Sequence, residues 1–418
     1  MYNKSVLDNG IRVISEQIGH VRSISIGVWV RSGSRYEDGS TNGFAHFIEH
    51  MLFKGTKTRS AFDIASAIDS VGGVMNAFTG KELTSFYVKI PDYHLALAID
   101  LLADIFKNSL FEDAEIAKEK SVILQEISML EDTPDEYVHD FFETVFWKEN
   151  PLGLPILGTK CLVSAIDKED LIRFFNARYR GKGLVVTAAG NLNHDGLVAL
   201  VKNAFDRLEV SSIQDEPAIP DISSNIAVME KDLGQVHLVM GTPAPSAVSP
   251  KRYSGFVLNA VLGGSMSSRL FQNIREQRGL AYSIHSYLAQ YMDCGMFAIY
   301  AGVADDKLHE TISLIFDELH RICKDSLTDK ELLSAKELLK GNYLLSMEST
   351  DNQMIKLAKN ELCFGRNIPM EEIINAIEAI DSDDIRALAE EIFNPGHISI
   401  AAMGPISEND LVMDVMRA

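Results

Sequence analysis

The sequence predicts an α+β fold of two similar halves, each a layer of helices on a mostly antiparallel sheet. Three observations lead there. The chain has 418 residues, more than one ordinary core fills. Segments of clean apolar alternation interleave with longer runs of helical periodicity. The order of these elements also starts again after a Ser- and Pro-rich stretch near the middle.

The stretch SISIGVWVR (23–31) places Ile24, Ile26, Val28 and Val30 on one side and reads as a half-buried strand. A helix follows in GFAHFIEHMLF, then a second in SAFDIASAIDSV, opened by the cap residue Ser60 and stopped at Gly72-Gly73. VMNAFT and LTSFYVKI read as strands, the second ended by Pro91. Amphipathic helices fill roughly 92–107 and 112–131. After the Pro/Gly-broken NPLGLPILG come another helix and the strand GLVVTAAGN. EVSSIQDEPAIPDISS is polar and aperiodic, which predicts a linker over 211–224 between domains at 1–210 and 225–418. Beyond it VHLVMGTPAP is a strand, RYSGFVLNAVLGG a helix, and AYSIHSYLAQ and GMFAIYAGV are strands, followed by paired long helices. Short echoes accompany the repeated order: Ser109-Leu110 recurs at 326–327 and Ala117-Lys118-Glu119 at 335–337.

Composition sets the class. Hydrophobic residues make up 46% and charged residues 23%, as in soluble globular proteins. The formal net charge of −20 argues against nucleic-acid binding, which needs basic patches. Cys161, Cys294, Cys323 and Cys363 are scattered, a pattern of reduced thiols that fits a cytoplasmic address. The N-terminal residues lack a basic-then-apolar signal, and no apolar run reaches membrane-spanning length.

The first helix carries the chemistry. At 100° per residue His46, Glu49 and His50 share an arc of about 100°, while Phe44, Phe47, Ile48, Met51 and Leu52 face the other way. An i, i+4 histidine pair places two ring nitrogens on one metal ion, and zinc favours such ligands. A pair of solvated surface histidines is the plainer reading. In EIAKEKSVILQEISML, Glu119 and Glu126 stand two turns apart on the side that also holds Ile116, Val122, Ile123, Ile127, Met129 and Leu130. Carboxylates in an apolar stripe need strong partners. A metal for one and an imidazole N–H for the other would serve, and so would a buried ion pair to Lys or Arg. The second half has no counterpart to the histidine pair, which assigns the chemistry to the first. LGGSMSS (262–268) lacks any phosphate-binding pattern and reads as a turn between helices.

HFIEH is the inverted H-x-x-E-H motif of the inverzincins. With Glu126 placed 76 residues past His50 and Glu119 one heptad earlier, the chain resembles the pitrilysin-type zinc metallopeptidases over its whole length. The flanking HMLFKGT makes it most similar to the mitochondrial-processing-peptidase-like members. The resemblance implies one Zn²⁺ per chain held by His46, His50 and Glu126, with Glu49 as general base and Glu119 supporting a ligand. It implies a substrate-binding strand edge at Asn76 and Ala77, although NAFTGKEL also reads simply as a hairpin turning at Gly80-Lys81. It implies an Arg275/Tyr282 pair acting on the substrate carbonyl and oxyanion, with Arg269 and Arg278 as competitors for the arginine. The function implied is a zinc endopeptidase for unfolded or presequence-like peptides. The alternative, a non-catalytic scaffold or peptide-holding subunit, would be expected to lose the base or a ligand, and this chain keeps all four. Large relatives close four such domains into a clamshell. With two domains this chain is half of one, which implies a homodimer or a homologous partner subunit.

Overall fold

The computed structural model describes residues 1–180, 183–206, 208 and 217–417. The first part of the chain forms β1 (Tyr2–Val6), β2 (Arg12–Gln17), β3 (Ser23–Val30), α1 (Phe44–Leu52), α2 (Ala61–Asp69), β4 (Val74–Thr79), β5 (Thr84–Pro91), α3 (Leu95–Asn108), α4 (Asp113–Glu131), α5 (Pro134–Phe146), α6 (Lys160–Ala165), α7 (Lys168–Arg178), β6 (Val185–Gly190) and α8 (His194–Ala204). The second part forms β7 (Ile226–Glu230), β8 (Val236–Pro243), α9 (Arg252–Leu262), β9 (Ala281–Gln290), β10 (Gly295–Val303), α10 (Leu308–Lys324), α11 (Asp329–Ser346), α12 (Thr350–Phe364), α13 (Met370–Glu378), α14 (Ser382–Ile392), β11 (Ser399–Gly404) and α15 (Glu408–Arg417). Of the expected linker, residues 211–216 lie outside the described residues.

The two sheets share one plan. The first has strand order β1-β2-β6-β3-β5-β4 and the second β7-β11-β8-β10-β9. Without β1, the orders correspond strand for strand. In each, the outermost pair is parallel (β2 with β6, β7 with β11) and the remaining pairs are antiparallel. This is the α+β architecture of two similar halves that the sequence predicts.

The compact units are not continuous in sequence. One comprises Met1–Met129, Leu154–Pro217 and Ser346–Asn367, and the other Leu130–Gly153, Ala218–Leu345 and Ile368–Ala418. Relative to a division at the linker, the segments bearing α5 and α12 are exchanged. Periodicity marks an apolar face but not the sheet that face will cover, so the exchange is invisible to chain order.

The exchange alters the reading of β3. Ile24, Ile26, Val28 and Val30 do enter the main core of the first unit, with Phe47, Ile48, Leu102 and Phe106. The strand is nevertheless buried on both sides. On the opposite face Trp29 joins Ile14, Val185 and Ala189 beneath Met354, Leu357 and Ala358 of α12. Small and polar side chains there admit the helix: a Cβ on Gly27 would stand 3.1 Å from Met354 Sδ. Ser25 Oγ donates to Asp351 Oδ1 at 2.5 Å, and Trp29 Nε1 donates to Thr187 Oγ1 at 2.7 Å. In the second unit α5 plays the same part, packing Val138, Phe142 and Phe146 on Val239, Met296, Ala298 and Ala401. Gly241 is required beneath it, because a Cβ there would lie 2.6 Å from Phe142 Cζ.

Candidate metal centre

Helix α1 begins at Gly43, whose φ of +96° is the left-handed conformation glycine tolerates best. Its first N–H groups need acceptors, and the buried Glu37 supplies them. The Glu37 carboxylate accepts from Gly43 N at 2.8 Å, Ala45 N at 2.6 Å and Asn42 Nδ2 at 3.1 Å. Burial outweighs these donors and pushes the Glu37 carboxyl up to about 7. Beyond this cap Phe44, Phe47, Ile48, Met51 and Leu52 sink into the core, leaving His46, Glu49 and His50 on the more open face.

Helix α4 brings the third group. Glu126 Oε2 lies 3.8 Å from His46 Nε2 and 3.7 Å from His50 Nε2. These separations are too long for hydrogen bonds, yet one atom from each residue lies within 4.8 Å of the others. Two ligands bound at 2.0–2.1 Å to one tetrahedral ion stand about 3.4 Å apart, close to the separations of Glu126 from the two rings. The donor set, two imidazoles and a carboxylate, is one zinc accepts. Burial, helped by His50, pushes the His46 imidazole down to about 3, leaving its ring neutral. His46 Nδ1 is buried without a hydrogen-bond partner among the described residues.

Both partners weighed for the stripe carboxylates occur at Glu119. Its Oε2 receives His50 Nδ1 at 2.9 Å, and its Oε1 pairs with Lys54 Nζ at 2.6 Å. The acceptor on Nδ1 sets the His50 tautomer, leaving the Nε2 lone pair toward Glu126. The stripe itself needs correction. Glu119 is buried, but the Glu126 side chain is 37% exposed and is flanked by the exposed Val122 and Met129. Glu126 faces the more open side of α4.

Glu49 accepts a hydrogen bond of 2.5 Å from Thr79 Oγ1. Burial raises its pKa, against the pull of Thr79 and His50, and Glu126 raises it further. Asn76 and Ala77 lie on β4, which forms the edge of the first sheet, and Asn76 is exposed. Asn76 Oδ1 accepts from Ala77 N at 2.8 Å. The hairpin reading of NAFTGKEL and the edge-strand reading therefore describe the same element, since β4 turns at 80–83 into β5.

Arg275 and Tyr282 belong wholly to the second unit, and His46, His50 and Glu126 wholly to the first. Arg275 lies in a π-helical turn, Phe271–Glu276, with its guanidinium 4.7 Å from the Phe271 ring centroid and 5.9 Å from that of Tyr282. Tyr282 is 83% exposed. Arg269, a competitor for the role, is held by Glu331 at 2.9 Å, and Arg278 donates to Asn273 Oδ1 at 3.1 Å.

Three site residues escaped the sequence reading: Glu37, Lys54 and Thr79. Lys54 had a usable signal, standing one helical turn past His50. Glu37 and Thr79 had none, because they reach α1 from a loop and a strand.

Comparison with known proteins places these features in context. A family model described as insulinase (peptidase family M16) matches residues 12–160, and one described as the peptidase M16 inactive domain matches residues 165–339. The chain is 39% identical over 405 residues to the uncharacterized zinc protease YmxG of Bacillus subtilis, covering 97% of this chain and 98% of that protein. It is 38% identical over 415 residues to an uncharacterized zinc protease of Streptomyces coelicolor, covering 97% and 90% respectively. Among solved structures, a protease from Helicobacter pylori superposes with a TM-score of 0.89 at 22% identity, covering 97% of this chain and 99% of that one. A peptidase M16 inactive domain from Pseudomonas fluorescens gives a TM-score of 0.89 at 19% identity, covering 97% and 98%.

Proposed function

The chain belongs to peptidase family M16, and on that premise we propose that it is a zinc-dependent endopeptidase hydrolysing peptide bonds in unfolded or presequence-like peptides. The convergence of His46 Nε2, His50 Nε2 and Glu126 Oε2, with the Glu49 carboxylate beside them, carries the reading.

In this reading His46, His50 and Glu126 hold one Zn²⁺ and Glu119 orients His50. The ion, when bound, supplies Lewis acidity toward the scissile carbonyl and toward the attacking water. Glu49 takes the water's proton as its oxygen bonds to the carbonyl carbon, and returns that proton to the amine as the C–N bond breaks. Positioned proton transfer of this kind contributes roughly 10²–10⁴-fold. An extended peptide adds to the free edge of β4 around Asn76 and Ala77 through main-chain hydrogen bonds, which tolerate many sequences. Arg275 and Tyr282 hold the substrate carbonyl and the developing oxyanion. Two copies of the chain form the working enzyme, one supplying the metal-binding unit and the other the Arg275/Tyr282 unit at each chamber. A cytoplasmic location fits the four free thiols, and no helix among the described residues is long and apolar enough to cross a membrane.

Mass-spectrometric mapping of cuts in a peptide library, with and without a chelator, tests the proposal. Cleavage is expected to stop on chelation and resume with added zinc, while chelator-insensitive cleavage by the purified chain would refute the reading. Glu49→Gln is expected to bind zinc at wild-type stoichiometry with turnover reduced by roughly 10²–10⁴-fold.

A further inference from the structure

One hydrogen bond ties the edge strand to the helix that carries the histidines. Thr79 Oγ1 donates to Glu49 Oε2 at 2.5 Å, engaging one oxygen of the carboxylate and leaving the other. The backbone that bears this hydroxyl is fixed from both sides. Thr79 pairs with Thr84 in the β4–β5 ladder, and the wholly buried Thr84 donates to the Ser32 carbonyl at 2.9 Å. The next residue, Gly80, donates its N–H to Leu83 O at 2.8 Å and accepts from Ser34 N at 3.3 Å. Strand alternation turns Ala77 and Thr79 to the same, less exposed face, away from Asn76 and Phe78. The side chain is β-branched and restricted at χ1, so its hydroxyl is a rigid donor for a longer, more mobile glutamate.

We infer that Thr79 is a positioning residue for Glu49: its hydroxyl holds Oε2 so that Oε1 stays free and aimed to take the water's proton. The inference rests on the reading of Glu49 as the base. Its chemistry is a fixed hydrogen bond on a strand, and Thr79 neither ligates the metal nor touches the reacting atoms.

Thr79→Val keeps the shape and the β-branch but removes the donor, whereas Thr79→Ser keeps the donor. With zinc-loaded full-length protein, Thr79→Val is expected to lower kcat by about 10- to 100-fold, a part of what the base itself contributes. KM should stay within about twofold, with zinc stoichiometry and zinc affinity by chelator competition unchanged. Thr79→Ser should remain within about threefold of wild type. Crystals of Thr79→Val should show the Glu49 side chain displaced or in several conformations, while Thr79→Ser keeps the wild-type one. In a Glu49→Gln background, Thr79→Val should change the residual rate by less than about twofold. Wild-type kcat in Thr79→Val overturns the inference. So do equal losses in the Val and Ser variants, a loss confined to KM or zinc binding, or the same loss repeated without Glu49. If Thr79→Val is fully active while Glu49→Gln is inactive, only the role of Thr79 falls. If Glu49→Gln turns over like wild type, the base assignment falls and takes the inference with it.

Discussion

Glu119 divides its two oxygens between His50 Nδ1 and Lys54 Nζ, an arrangement that meets the cost of a nearly buried carboxylate and fixes the imidazole proposed to hold the metal. Removing it leaves Lys54 without this acceptor and His50 free to turn. Glu119→Ala is therefore expected to weaken zinc binding by about 10–100-fold, read by competition with a chromophoric chelator. Glu37 acts at the other end of α1. Its pKa lies near 7 in the fold against 4.5 for an ordinary glutamate, so between those pH values the folded chain binds more protons than the unfolded one. The Glu37 contribution to stability accordingly falls as pH rises from 4.5 to 7, by at most roughly 3 kcal/mol. Urea titrations of metal-free wild type and Glu37→Gln should show the stability of the variant, relative to wild type, climbing across that window. A flat difference would show that Glu37 titrates normally in the fold.

At the level of elements, α1 was legible and α4 only in part. The spacing of His46, Glu49 and His50 is set by helix geometry alone, and the observed burial of their apolar neighbours follows it. On α4 the same arithmetic grouped Val122 and Met129 with the buried residues, yet Met129 is 69% exposed. The helix carries too little apolar contrast for one face to be chosen locally, and its neighbours choose. Strand β3 shows the converse, since alternation marks one apolar face but α12 covers the other as well. The docking of α5 depends on an equally non-local fit at Gly241. Gly241→Ala would bring a methyl within 2.6 Å of Phe142 Cζ and is expected to destabilise the chain by about 1–3 kcal/mol, measured by thermal unfolding. Pairing it with Phe142→Leu should recover part of the loss if that clash is its cause.

For the whole molecule, the exchanged segments matter most. A fragment ending at Pro217 would lack α12, uncovering Trp29, Ile14 and Val185, and would carry α5 with Val138, Phe142 and Phe146 uncovered. It is expected to aggregate or fold incompletely when expressed alone, and to recover native helicity and zinc binding when co-expressed with residues 218–418. Circular dichroism and zinc stoichiometry of the separate and joint fragments check this, and a stable, zinc-binding 1–217 fragment would contradict it. The likeness of the two halves was legible as a repeated order of elements. The parallel outer pairs were not, because parallel pairing joins strands far apart in the chain.

From sequence alone came the class of the fold, the repeat and the shared face of His46, Glu49 and His50, because each rests on spacing along a single element or on the order of elements, while the meeting of Glu119 and Glu126 with that helix came from the resemblance to a known family. Three-dimensional packing alone decided which carboxylate is buried and which faces outward, that Lys54, Thr79 and Glu37 hold the site in place, and that α5 and α12 cover sheets from the other half of the chain. Periodicity records which face of an element is apolar. The partner that covers that face is chosen by the shape and chemistry of residues far away in the chain, as α12 is from β3.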